Sequence, residues 1–337
     1  MNLYVLAGFL LAFAITAAIG PFVIKWLRTM KIGQKILEIG PKWHMNKQNI
    51  PTMGGIMFIT GILLATVIAA AFTGMWSEMA PAASVMGLAL ANGLIGVFDD
   101  WKKIKKKQNA GLTAKQKMLL QIAVAALFIT LMRVGGFITP SLTIPFVNIT
   151  ITIPWMLYIL FMTFVIVGTV NAVNLTDGLD GLAAGVTLPV AVFFCAAALF
   201  LKDAMRADSM LIVSILSAAL AGGLIGFLIF NFNPAKVFMG DTGSLYLGGM
   251  ICGLAFAIDL PLILIPVGLI YICETLSVIL QVGYFKLTHG KRIFKRTPIH
   301  HHFEMCGYTE KQIVITAFLI TALLCALSYW GVLHLYL

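Results

Sequence analysis

Four stretches of this chain carry residue types that could do chemistry. Asp99 and Asp100 are adjacent in "GVFDDWKK". Asp177 and Asp180 stand three apart in "NAVNLTDGLDGLAAG", preceded by Asn171 and Asn174. Asp241 lies between Gly240 and Gly243 in "NFNPAKVFMGDTGSL", with Asn231, Asn233 and Lys236 just before it. Neighbouring like charges repel, so the Asp99–Asp100 pair is cheaper to keep with a cation or a proton between the two groups. Asp and Asn are also common caps and turn residues, and Asp180 could simply cap a helix. Two caps are not needed in one turn, however, and Gly178 and Gly181 let backbone approach a ligand closely. Carboxylate oxygens beside exposed N–H groups suit Mg²⁺ and phosphate, or a nucleotide.

The fourth stretch is "KRTPIHHHFEM", residues 295–305. Three consecutive histidines cannot all face one metal from a helix or a strand, and zinc sites use spaced ligands. Mg²⁺ prefers oxygen over imidazole. Lys291, Arg292, Lys295 and Arg296 immediately upstream favour an anion. The cluster therefore reads as donors to phosphate or sugar oxygens, with zinc the weaker alternative. Phe238 could stack on a base or anchor its loop at a membrane interface, and the residues alone favour the anchor. Glu274 and Gln281, seven residues apart on one helical face, read as a polar contact between helices.

What must position these groups is set by composition. The chain has 337 residues, 60% hydrophobic and 11% charged, against roughly 25% charged in soluble domains. This excludes an ordinary soluble enzyme and predicts an all-α polytopic membrane protein, a single integral membrane domain over 1–337. A hydrocarbon core of about 30 Å needs roughly 20 apolar residues per helix. Ten spans are predicted, near 3–24, 54–73, 81–98, 118–134, 155–174, 182–201, 210–230, 244–258, 261–285 and 313–335. The first lacks a basic flank before it, so it reads as a helix and not a cleaved signal. The connections 25–53, 99–117, 175–181, 231–243 and 286–312 fall on one face and hold 20 of the 23 Lys and Arg residues. That face is expected to be cytoplasmic, with both termini outside. Every carboxylate singled out above, except Glu274, falls on it, as do the histidines. The basic charge is a topology signal, and no nucleic acid is expected as partner. A secondary transporter would instead place its acids near the midplane, often within internal repeats; only Glu274 is deep, and no repeat is evident.

Taken in order, "PTMGG", "GVFDDWKK", "NLTDGLDGLAAG", "FNFNPAKVFMGDTGSL" and "TPIHHHFE" resemble the MraY family of phospho-N-acetylmuramoyl-pentapeptide transferases. The resemblance runs from about residue 20 to the C-terminus. The wider superfamily of polyprenyl-phosphate N-acetylhexosamine-1-phosphate transferases shares the aspartate motifs, and a GlcNAc-1-phosphate transferase is the nearest alternative. "PIHHHFE" has the form of the former family. The resemblance implies a Mg²⁺-dependent reaction in the bacterial inner membrane, with the active-site cleft facing the cytoplasm. UDP-MurNAc-pentapeptide and undecaprenyl phosphate would give lipid I and UMP, in membrane lipid and as a homodimer. It implies that Asp241 is the Mg²⁺ ligand, that Asp99, Asp100 and His300 are catalytic, and that Lys47, Gly178, Leu179, Asp180, Asn231 and Phe238 surround the uridine. Phe238 would then stack on uracil. Asn174, Asp177, Gln281 and His301 would line the cleft, and Thr52 and Lys115 its edge, while His302 has no clear role.

Overall fold

The computed structural model describes residues 2–30, 50–106, 111–144 and 146–336. Twelve α-helices appear among them: α1 (Leu3–Thr29), α2 (Gly55–Thr73), α3 (Ala80–Lys106), α4 (Ala114–Val134), α5 (Trp155–Thr176), α6 (Leu182–Met205), α7 (Ser209–Asn231), α8 (Gly240–Ala257), α9 (Leu264–Val267), α10 (Leu269–Leu287), α11 (Ile299–Met305) and α12 (Glu310–Tyr336). An antiparallel hairpin, β1 (Ser141–Ile144) and β2 (Ile149–Thr152), joins α4 to α5 with Ser141 opposite Thr152. Backbone in lipid must satisfy its own hydrogen bonds, which is why apolar runs of this length become helices.

Nine helices among the described residues are long and apolar enough to cross a membrane. The predicted span at 244–258 is α8, and it differs from the rest. Its run "GDTGSLYLGGMICGLAFA" is rich in glycine and is 18 residues long, about 27 Å at 1.5 Å per residue. From Thr242 to Ala257 every residue of it is buried. Its lipid is the protein itself: α3 packs along it, flanked by α5 and α2. Small residues make the approach possible, as in membrane helix pairs generally. A Cβ on Gly249 would press the backbone of Ala89 on α3, and one on Gly96 would run into the backbone of Asp241 and Thr242.

Two predicted boundaries are corrected. The span at 261–285 is broken: a 3₁₀ turn (Pro261–Ile263) and the one-turn α9 precede α10. Pro261 and Pro266 lack the N–H a continuous helix would use, and Gly268 closes α9. The third span does not end at residue 98 either. α3 continues to Lys106, so the connection drawn at 99–117 is mostly helix and puts Asp99, Asp100 and Lys103 on rigid backbone.

The long helices alternate in direction. α1 and α7 run side by side in parallel, Gly8 meeting Ile215 at one end and Gly20 meeting Phe230 at the other. The hairpin, the C-terminal end of α8 and the last turn of α12 gather at the first of these ends. There Asp259 accepts from the Thr139 N–H and hydroxyl, and Phe146 lies against Gly331 and Trp330. The carboxylate motifs gather at the other.

Candidate active site

Asp241 is the point where four helices meet. It sits in the first turn of α8, entered through Gly240, whose φ of +70° favours glycine. No side chain would fit at Gly240 in any case, because a Cβ would crowd the Thr52 Oγ1 and Asp100 Oδ2 atoms. One carboxylate oxygen of Asp241 accepts from the Asn174 amide of α5 at 2.8 Å. The other accepts from the Lys103 ammonium of α3 at 3.1 Å and the Lys117 ammonium of α4 at 3.0 Å. Asn174 is itself oriented by Ser244 and Lys117.

Asp99 and Asp100, adjacent in sequence, do different work. Both oxygens of Asp100 are turned to the start of α8. They accept from the Asp241 N–H at 3.3 Å, the Thr242 N–H at 2.9 Å and the Thr242 hydroxyl at 2.8 Å. A carboxylate on the first N–H groups of a helix satisfies donors that have no partner within it. Asp100 thus fixes where Asp241 points. Asp99 accepts from the Leu112 N–H at 2.8 Å and pairs with Lys103 at 2.6 Å. Leu112 directly precedes Thr113, which closes a capping box with Gln116. Asp99 therefore holds the entry of α4, and one turn on, Lys117 reaches Asp241.

Oxygens of Asp99, Asp100 and Asp241 all lie within 4.8 Å of one another. That donor set fits a hard cation such as Mg²⁺, which commonly takes one or two carboxylates and completes its shell with water and substrate phosphate. Asp241 and Asp99 are the better placed ligands, since Asp100 is tied to the backbone of α8 whereas they pair with lysine side chains, which can swing aside.

A second layer begins at Asp177, which follows α5. Its enclosure, reinforced by the nearby carboxylates Asp241, Asp100 and Asp180, pushes its carboxyl well above the usual range. Asp180 accepts from the Asn233 amide and the Ala235 N–H. Asn231 accepts from the Gly181 N–H and donates to the Val237 carbonyl. The loop carrying Gly178, Leu179 and Asp180 is thereby stapled to the loop leading to Phe238. The half-buried Phe238 is set by its backbone, which pairs with Pro51 and Gly54, and Thr52 lies between them.

The histidines diverge. His300 is buried: its Nδ1 meets a Glu274 carboxylate oxygen at 2.9 Å, and its Nε2 lies against Gly178 with no hydrogen-bond partner. His301 Nδ1 meets Glu304 at 2.6 Å, and burial, opposed by that contact, pulls its pKa down. His302 Nδ1 accepts from the Lys295 N–H at 3.2 Å. Gln281 clamps the segment before them, accepting from the Ile293 and Phe294 N–H groups and donating to the Phe294 carbonyl. Glu274 bridges helices as expected, from α10 to His300 of α11, whereas Gln281 meets the non-helical residues 293–294.

Asp99, Asp100, Asn174, Asp177 and Asp241 thus come together. Gly178, Leu179, Asp180, Asn231, Phe238 and Thr52 form the adjoining loops, and His300 closes against Gly178. Lys115 is exposed in the first turn of α4, and Lys47 lies outside the described residues. Sequence reasoning passed over Lys103 and Lys117, taking them as part of the basic topology signal. Both had a local signal. Lys103 is four residues from Asp99, the spacing of neighbours on a helix, and Thr113 with Gln116 spells a capping box that starts a helix before Lys117.

Residues 82–259 match the family model described as Glycosyl transferase family 4. Residues 47–59 match the phospho-N-acetylmuramoyl-pentapeptide-transferase signature 1. The chain is similar to the phospho-N-acetylmuramoyl-pentapeptide-transferase of Listeria monocytogenes serotype 4b, 45% identical over 318 residues and 94% of each chain. It is similar to that of Thermoanaerobacter pseudethanolicus, 45% identical over 95% of this chain and 96% of the other. For that of Acetivibrio thermocellus the identity is 44%, over 96% of this chain and 94% of the other.

Proposed function

Because the chain belongs to the phospho-N-acetylmuramoyl-pentapeptide-transferase family, we propose that it moves phospho-MurNAc-pentapeptide from UDP to undecaprenyl phosphate, giving lipid I and UMP. The observation that carries this reading is the meeting of Asp99, Asp241, Asn174, Lys103 and Lys117 at helix ends in one end of a multi-pass bundle. A lipid acceptor requires a membrane enzyme, and a water-soluble nucleotide donor requires a site at the aqueous boundary. Following the distribution of Lys and Arg, that boundary is the cytoplasmic one. A homodimer is proposed on family grounds alone; light scattering in detergent checks it.

Two phosphorylated substrates repel, and the site is built to offset that repulsion. Mg²⁺ held by Asp241, with Asp99 beside it, would neutralise charge on the donor pyrophosphate. Lys103 and Lys117 donate to the phosphate oxygens, whose charge spreads during transfer. Asn174 keeps Asp241 in position, and Asp100 keeps the start of α8 in place. The loops around Gly178, Asp180 and Phe238 receive the uridine, Phe238 stacking on the base, and His300 and His301 face the remaining anionic and sugar oxygens. The carrier's phosphate oxygen forms a bond to the sugar-linked phosphorus as the bond to UMP breaks. A phosphate monoester has its second pKa near 6 and is mostly dianionic at neutral pH. It needs little from a base, so Asp99 positions the acceptor and manages charge while attack is direct.

UMP release with purified enzyme, Mg²⁺ and undecaprenyl phosphate tests the reading. Turnover is expected with UDP-MurNAc-pentapeptide and not with UDP-GlcNAc; the reverse preference would transfer the assignment to a GlcNAc-1-phosphate transferase. Chelating divalent cations is expected to stop the reaction and re-adding Mg²⁺ to restore it. Undiminished turnover after chelation would remove the metal from the reading.

A further inference from the structure

Away from the carboxylates, the last turns of α1, the end of α7 and Lys236 beyond it line an open cavity of about 570 Å³. Pro21, Ile24 and Phe230 give it an apolar floor, and Lys25, Arg28 and Lys236 a cationic rim. Ile24 is buried, while the three cations are exposed. None of the three is in an ion pair among the described residues, in contrast to Lys103 and Lys117, which both hold Asp241. Among the described residues no acid lines the cavity, and three positive charges stand over an apolar surface. On the same turns Phe22 is 76% exposed and Trp26 50%. Aromatic residues beside Lys and Arg at a helix end mark the level where hydrocarbon gives way to headgroups.

From these observations we propose that the cavity binds the phosphate headgroup of an anionic membrane phospholipid. Its phosphate is held by Lys25, Arg28 and Lys236, and the start of an acyl chain lies on Pro21, Ile24 and Phe230. A basic pocket between helices at headgroup depth meets the phosphate charge, and the apolar floor adds a preference that a free anion would not exploit. The cavity shares no lining residue with the Asp241 cluster, so an occupant here is not a reactant. The commitment is therefore to bulk phospholipid and not to the polyprenyl carrier.

The test is lipid binding to the full-length protein in neutral detergent, read by native mass spectrometry. The probes are phosphatidylglycerol, phosphatidylcholine, undecaprenyl phosphate and inorganic phosphate. Phosphatidylglycerol is expected to bind more tightly than phosphatidylcholine and to resist competition by inorganic phosphate. A triple variant, Lys25→Ala with Arg28→Ala and Lys236→Ala, is expected to lose roughly fivefold in affinity per charge removed. The control variant Lys102→Ala with Lys105→Ala and Lys286→Ala loses the same charge elsewhere and is expected to change binding less than about twofold. Equal losses in both variants would mean diffuse attraction and overturn the site. So would an unchanged triple variant, displacement by inorganic phosphate, or selective capture of undecaprenyl phosphate at these residues.

Discussion

α8 and α10 both position residues of the site, by opposite means. α8 is enclosed on all sides, and Asp241 is placed by packing: Gly96 lets α3 touch its first turn, and Asp100 caps that turn. α10 has only four buried residues, Tyr271, Glu274, Ser277 and Gln281. Two of these place the histidine segment through side-chain hydrogen bonds. Packing fixes many atoms at once and tolerates no added volume. A polar pin fixes one segment and can be removed without disturbing its neighbours. One end of the site is therefore rigid by construction, and the other is held by a few separable contacts.

Changing charge without volume at the packed end should have the largest effect. Asp241→Asn is expected to lower transfer on the order of 10³-fold while the melting temperature in detergent stays close to that of the parent. Near-normal turnover at saturating Mg²⁺ would remove Asp241 from the centre of the site. Adding volume there should hurt differently. Gly96→Ala overpacks the α3–α8 contact, typically a cost of about 1–3 kcal/mol, and is expected to lower melting temperature and activity together. If thermal unfolding is unaltered, α3 and α8 are less tightly apposed than described.

At the pinned end the two readouts should separate. Gln281→Leu frees three hydrogen bonds to residues 293–294. It is expected to cut activity about tenfold, equivalent to about 1.4 kcal/mol, with thermal unfolding nearly unchanged. A large drop in melting temperature would show that α10 is placed by packing after all. The smallest effect is expected at His302→Ala. His302 bonds the Lys295 N–H outside the cleft, and changes at such positions are usually within about 0.5 kcal/mol, roughly twofold. A greater loss than at His300→Ala would invert the assignment of roles among the three histidines.

This contrast also explains what could be read from the sequence. Apolar length gave the helices, and the Asp and His motifs marked the end of the bundle where they meet, because hydrophobicity and charge are local properties of the chain. The spans at 244–258 and 261–285 were less legible. A glycine-rich helix sheltered by other helices need not be strongly apolar, and a proline break shows only once the neighbours are known. The division of labour between Asp99 and Asp100 was illegible for a different reason. Both are acids at one helix end, and only the arrival of α8 beside Asp100 and of residues 111–113 beside Asp99 separates them. Glu274 and Gln281 were seen as polar residues on one face, but their partners lie 26 and 12 to 13 residues further on. No helical spacing points there.

The cap that Asp100 places on α8 also bears on how the molecule is made. Its partners, the N–H groups of Asp241 and Thr242, lie 141 and 142 residues further along the chain. At about 5–20 residues per second on the ribosome, this is roughly 10–30 s of synthesis. Through that interval α3 must wait with a carboxylate that has no α8 to hold, left to water at the headgroup level and to Lys103 of its own helix. The site cannot exist in part: until the eighth helix threads between α3 and α5, the acids, the lysines and the amide have nothing to converge on. Order of insertion thus acts as a timer that keeps a half-built chain chemically silent.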